Sequence, residues 1–128
     1  MAKVDVTLCK LMELIVSMIF VFGSNLAGRH GKGAALYAMK HCRAVYGQGI
    51  GIQGDSYAIP TKDEHINTLP LDRITIYVNE FKEFARQHPE MIFSVTKIGC
   101  GLAGYTEDNI SPLFKDSSVN CILPDGWR

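Results

Sequence analysis

The chain has no excess of either charge: 13 Lys and Arg stand against 13 Asp and Glu in 128 residues. That balance argues against a polyanion-coating surface, which needs a concentrated positive field. It leaves room for one nucleotide held by a local loop. Cysteine is sparse and scattered, at positions 9, 42, 100 and 121. There is no CxxC and no convincing signal sequence, so the thiols read as reduced and the protein as cytoplasmic. Zinc ligands normally come in close pairs, and these cysteines and the four scattered histidines do not supply them, so no metal and no other cofactor is expected. No run is long enough to cross a bilayer, which takes about 20 apolar residues. Residues 11–22 are apolar except for Glu13 and Ser17 but fall short, and no membrane partner is expected. Repeats, linkers and low-complexity segments are also lacking, so the chain reads as one domain of ordinary size, able to bury a core.

Glycine is what the chain does have, 12 residues of it, all but Gly126 gathered in three stretches. The first is the most informative. The apolar run Ile19-Phe20-Val21-Phe22 ends at Gly23, the loop Ser24-Asn25-Leu26-Ala27-Gly28-Arg29-His30-Gly31-Lys32 follows, and a helix-forming stretch opens at Gly33-Ala34-Ala35. Strand, glycine loop and helix in that order form the unit in which a phosphate sits on the free N–H groups of the first helical turn. The spacing is neither a P-loop nor a dinucleotide fingerprint. The stretch reads as a phosphate or nucleotide site of unspecified type, or as a tight loop whose glycines serve turn geometry alone.

Periodicity organises the remainder. The unbroken apolar run at 19–22 predicts a strand buried on both faces, as in a parallel sheet covered by helices. Residues 33–45 predict a helix with Ala35, Leu36, Met39, Cys42 and Val45 turned inward. Residues 46–55, with glycine at 47, 49, 51 and 54, predict a loop or irregular ribbon beside the first glycine loop. A strand over 56–60 should end at Pro60, with the polar run Thr61-Lys62-Asp63-Glu64-His65 leaving its C-terminal end. The clearest helix is 73–87, capped by Asp72, with Ile74, Tyr77, Val78, Phe81, Phe84 and Ala85 as its apolar stripe. A strand at 91–95 leads into the third glycine loop, Gly99-Cys100-Gly101-Leu102-Ala103-Gly104-Tyr105. Thr106 should cap a short helix over 107–114, and a last strand should cover 119–124.

This alternation predicts an α/β fold, a three-layer α/β/α sandwich with a mixed, largely parallel sheet. The three glycine-rich loops are read as following strands, and parallel strands would gather them at one edge of the sheet, in one cleft. Met18 stands directly before the first strand, a natural place for a domain to begin, so 18–128 reads as the α/β domain. Residues 1–17 read as an N-terminal extension or an alternative start, or as added elements: an edge strand at 4–8 or a short helix at 9–17.

Three blocks resemble the macrodomain family, which binds ADP-ribose. They are Phe22-Gly23-Ser24-Asn25-Leu26 with Gly31-Lys32-Gly33-Ala34-Ala35, Ser56-Tyr57-Ala58-Ile59-Pro60-Thr61-Lys62, and Thr96-Lys97-Ile98-Gly99-Cys100-Gly101-Leu102-Ala103-Gly104. The third block is the most specific and is similar to the branch that removes ADP-ribose from acidic side chains; the whole pattern is also similar to uncharacterised macro-like proteins of bacteria and phage. The resemblance spans roughly residues 19–123 and implies a macro-like sandwich. It implies that Asn25 contacts the distal ribose, that Gly31, Lys32, Gly33 and Ala34 belong to the first phosphate loop, and that Gly23 and Ser24 before it also bind the ligand. Gly99, Cys100, Gly101, Leu102, Ala103 and Gly104, with Tyr105 flanking, would form the second through backbone N–H groups. If the protein is catalytic, Lys62 and Asn25 would carry the reaction, since Lys62 matches the lysine that attacks the ribose anomeric carbon in that branch. The branch also has an aspartate directly after its Gly-Cys-Gly-Leu run, where this chain has Ala103. The implied partners are ADP-ribose or a similar small nucleotide derivative, and an ADP-ribosylated macromolecule if a linkage is hydrolysed. A non-catalytic sensor or sponge, or a structural or oligomer-forming domain, are the alternatives. The sequence carries no sign of oligomeric state.

Each candidate also has a plainer reading. Asn25 would bond its own loop backbone, and Arg29, Lys32 and Lys62 would be solvated surface. His30 and His65 lack an obvious acid partner for acid–base work. Cys100 is a reactive thiol or a small buried apolar residue, Tyr105 flanks the ligand or anchors the loop, and Trp127 serves as an anchor or an interface residue.

Overall fold

A computed structural model describes residues 18–128; the elements expected over 4–8 and 9–17 lie outside the described residues. Strand β1, Met18–Asn25, runs through the centre of the molecule. Its side chains alternate between two cores: Ile19 and Val21 enter one, Phe20 and Phe22 the other. That two-sided burial is why the run is apolar without alternation.

Four more strands complete the sheet: β2 (Gly51–Gln53), β3 (Ser56–Lys62), β4 (Ile92–Val95) and β5 (Cys121–Ile122). Their order is β2-β3-β1-β4-β5. β3 and β4 flank β1 in parallel, β5 runs parallel to β4, and only the edge strand β2 is antiparallel to its neighbour. The expected mixed, largely parallel sheet is therefore present, with helices on both faces. Helix α1, Gly33–His41, packs Ala35 and Ala38 beneath Phe22 and Ala58 on one side. Helix α2, Leu71–Gln87, buries Ile74, Val78, Phe81 and Ala85 on the other. The one-turn helix α3, Glu107–Ile110, and the 3-10 turn Ser111–Phe114 add Ile110 and Phe114 to that larger core. Thr106 caps α3 as the sequence predicts, in a reciprocal capping box with Asn109.

The boundaries that differ do so for identifiable reasons. α1 stops at His41 rather than running to 45, because Arg43 takes φ +57 and turns the chain away. The freed backbone is used elsewhere: Cys42 O accepts from Asp55 N at 2.9 Å, and Val45 N donates to Gln53 Oε1 at 2.8 Å. β3 does not end at Pro60 but continues to Lys62. β2 pairs only as far as Ala58, so Pro60 is flanked by β1 alone, and the register with β1 slips just beyond it. α2 begins at Leu71 with Pro70 before it, which places Asp72 within the first turn rather than at the cap. β5 is shorter than the predicted 119–124 because the preceding residues form a turn, closed by Cys121 N donating to Ser118 O at 3.0 Å, in which Asn120 lies. Asn120 Nδ2 donates toward Ala85 O, His88 O and Met91 O at 3.0, 3.0 and 3.1 Å, tying the end of α2 to the start of β4.

The winding of the chain decides where a ligand can enter. From β1 it passes through α1, on the Phe22 face, to reach β3. From β3 it crosses by α2, on the opposite face, to β4, and it leaves β4 on that same face. The loops after β1 and β4 therefore depart to opposite sides of the sheet and leave a crevice between their C-terminal ends, the topological switch point of open α/β sheets. For the lock beneath it, replacing Asn120 with Ala removes the donor to three carbonyls and is expected to cost about 2 kcal/mol of unfolding free energy, read from urea denaturation.

Candidate functional site

A cleft of about 560 Å³ opens at this switch point, within the size range of small-molecule sites. The loop after β1 contributes Gly23, Ser24, Asn25 and Arg29, and then the start of α1 from Gly31 to Ala35. The end of β3 and its loop contribute Thr61, Lys62 and Ile66. The loop after β4 contributes Thr96, Lys97, Ile98 and Gly99, then Gly101, Leu102 and Ala103. Arg29, Lys32, Lys62 and Lys97 are basic, and the lining contains no Asp or Glu. In a chain of balanced charge, that is a local concentration of one sign. Lys97 pairs with Glu107 at 3.3 Å; among the described residues Arg29, Lys32 and Lys62 form no ion pair.

Backbone donors add to this field. α1 has Lys32 at its N-cap with no side-chain cap, no acidic residue in its first turn, and its first bond from Leu36 N to Lys32 O at 3.2 Å. The N–H groups of Gly33, Ala34 and Ala35 are thus left for the cleft, at the positive end of the helix dipole. Across from them, the N–H groups of Gly101, Leu102 and Ala103 donate to no other group of the described chain. The Leu102 side chain reaches over to α1: a Cβ built on Gly33 would lie 3.9 Å from its Cδ1.

The polar residues of the first loop are partly committed to shaping it. The Asn25 amide closes the turn, with Oδ1 accepting from Arg29 N at 2.9 Å and Nδ2 donating to Arg29 O at 3.0 Å. One amide hydrogen remains for the cleft. Ser24 Oγ is buried and donates to Gly49 O. His30 is fully buried behind the loop, not in the cleft. Its Nε2 lies 3.0 Å from Gln48 O and 3.2 Å from Gln53 Oε1, and its ring sits edge-on to Phe22 at 5.2 Å.

The second glycine stretch is a buttress rather than a cleft wall. It follows α1 and not a strand, contrary to the sequence reading, and it presses against the back of the first loop. A Cβ on Gly49 would lie 2.1 Å from Asn25 O, and Gly47 N donates to Gly28 O at 2.8 Å. Only glycine permits that approach.

Three of the expected site residues lie outside the cleft lining: Cys100, Gly104 and Tyr105. Cys100 and Tyr105 turn instead toward the larger core. Burial, with the charge of Glu107 adding, pushes the Cys100 thiol up from 9.0, which disfavours the nucleophilic thiolate. Tyr105 Oη donates to Leu69 O at 2.6 Å, and Thr68 Oγ1 donates to Ala103 O at 3.0 Å, so the loops after β3 and β4 are stapled to each other. His65 is exposed beside Glu64 and does not reach the cleft. Thr61, Ile66, Thr96, Lys97 and Ile98 line the cleft although the sequence did not single them out as site residues. Their shared signal is position, at or just beyond the C-terminal ends of β3 and β4.

No family model, curated protein or solved structure matches the chain. The chemistry is therefore read from the cleft itself. It is equipped to hold an anion, through two sets of free N–H groups and basic side chains. Among the described residues no group of three or more His, Cys, Asp or Glu is placed to hold a metal ion, and no helix is long and apolar enough to cross a membrane.

Two outcomes test this geometry. Gly49→Ala forces a methyl into the Asn25 carbonyl and is expected to cost about 1–3 kcal/mol by urea denaturation, with the Arg29 amide resonance displaced. The second concerns pH. Asp63 Oδ1 accepts from Asn67 N and His65 N at 2.9 and 2.8 Å, and these bonds hold its carboxyl below the usual 3.8. A carboxylate depressed in the folded state contributes above its unfolded pKa, and the contribution is lost as pH falls through the folded value. The amide shifts of His65 and Asn67 should therefore titrate together with a midpoint below pH 3.8.

Proposed function

We propose that the cleft binds ADP-ribose or a related nucleotide derivative through its diphosphate, on a sandwich of macro-like type. The observation that carries the reading is the facing pair of donor sets, the uncapped start of α1 and the free amides of Gly101, Leu102 and Ala103, inside a ring of basic side chains without a carboxylate. A diphosphate offers two adjacent anionic groups to two such sets. The three sequence blocks that resemble macrodomains supply the same walls. Under this reading the spare amide hydrogen of Asn25 and the Lys62 ammonium serve the sugar beyond the diphosphate.

Binding without turnover is the primary form of the proposal. Hydrolysis of an ADP-ribosyl linkage would call for a group that takes or gives a proton at the sugar. The lining offers no acidic residue, and Ala103 occupies the position where the resembled branch has its aspartate. The half-buried Lys62 is the one observation that favours catalysis: as a nucleophile at the anomeric carbon it would lie on the same wall as Asn25, its register partner across β1 and β3.

Calorimetric titration with ADP-ribose tests the binding reading. Saturable binding is expected, weakened about tenfold or more by Lys32→Glu, in line with the loss and reversal of a charge-assisted contact. No heat at about 1 mM ligand, a concentration that would reveal even weak affinity, would overturn it. Release of ADP-ribose from a modified protein, abolished by Lys62→Ala, would convert the binder into an enzyme; the expected result is no release by either form.

A further inference from the structure

Ile66 is the residue of the cleft wall whose backbone and side chain disagree. It holds φ +66, in the left-handed region where a β-branched residue is a genuine outlier. Among the described residues the other non-glycine positions with positive φ, Arg43 and Asp116, are unbranched at Cβ and lie away from the cleft. The turn imposes the conformation on Ile66. Asp63 N donates to Asn67 O at 2.8 Å, Ile66 N donates to Asp63 O at 3.1 Å, and Asp63 Oδ1 gathers the next amides. Asparagine or glycine would sit in that turn at lower cost. The core does not explain the choice either, because Ile66 belongs to neither buried cluster and remains 37% exposed. Residues held in such conformations cluster at ligand sites and active sites.

Its position indicates what the side chain does there. Ile66 lines the cleft on the β3 side, beyond Lys62, whose register partner is Asn25. The amide and the ammonium can take hydroxyl groups there, but neither can cover the C–H face of a sugar ring. We propose that Ile66 is a specificity-determining residue that packs on the apolar face of the terminal sugar carried by the diphosphate. The inference rests on the diphosphate-binding reading above.

The test titrates ADP-ribose and ADP, which lacks the terminal ribose, into the wild-type protein and into Ile66→Gly, Ile66→Asn and Ile66→Val, and records thermal melting of each without ligand. The Gly and Asn variants should lose about tenfold in affinity for ADP-ribose, the size of one apolar side-chain contact, and keep the wild-type affinity for ADP. They should melt at or above the wild-type temperature, since the strain is relieved. Ile66→Val should keep its ADP-ribose affinity within about twofold, a small fraction of the 1.4 kcal/mol that corresponds to tenfold. Equal ADP-ribose binding by wild type, Gly and Asn variants would overturn this proposal alone, as would equal losses for both ligands. Lower melting temperatures in both Gly and Asn variants would overturn it by showing a packing role. Failure of the wild type to bind either probe would overturn this proposal and the binding reading together.

Discussion

Everything about the cleft depends on a reversal of winding beside one strand. The chain leaves β1 toward the Phe22 face and leaves β4 toward the Phe81 face. Two adjacent parallel strands whose exits diverge cannot close over their own ends. The crevice is thus a consequence of topology, present before any side chain is considered. β1 must also be apolar on both faces to occupy the centre, which is the property that makes residues 19–22 so visible in the sequence.

The character of the crevice comes from what the chain places around it, basic side chains and loop amides with no carboxylate in the lining. Two loop segments with amides that have no acceptor in the described chain border the cleft, and each is free because its own segment supplies none: α1 has no capping side chain, and the 101–103 turn bonds only at its flanks. The basic side chains then act in a wall without counter-charges, so their fields add. The overall balance of 13 and 13 hides this, since a net charge averages over the surface while a ligand meets only the lining. Lys97 is the partial exception, because Glu107 holds it, and Glu107 is itself held by Trp127 Nε1 at 2.9 Å. The C-terminal tryptophan therefore has an anchoring role that extends to the rim of the cleft.

The layout of the sheet and helices was largely legible because it rests on short-range periodicity. The apolar stripe of α2 and the Thr106 cap need only local sequence to be read. Three features were not legible, and each depends on contacts distant in sequence. The end of α1 is decided by Asp55 and Gln53, which claim the backbone of residues 42–45. The continuation of β3 through Pro60 depends on where β2 stops pairing. The inward turn of Cys100 and Tyr105 depends on Leu69 and the core beneath them. In the cleft itself, residues of all three blocks form the lining, yet a glycine loop read along the chain does not reveal which of its residues turn inward.

The two glycine stretches near the first loop show why the sequence signal misleads in one direction. Both are rich in glycine, but one lines the cleft and the other supports it from behind. Gly49 is needed because Asn25 O lies where its side chain would be, and Asn25 is thereby fixed with its amide turned around the Arg29 backbone. His30, bonded to the same supporting segment, fills the space between loop and sheet. A loop braced in this way would give up little conformational entropy on binding, which is how preorganisation raises affinity. Preorganisation of the wall, and not the number of glycines in it, is what separates a binding loop from a flexible one.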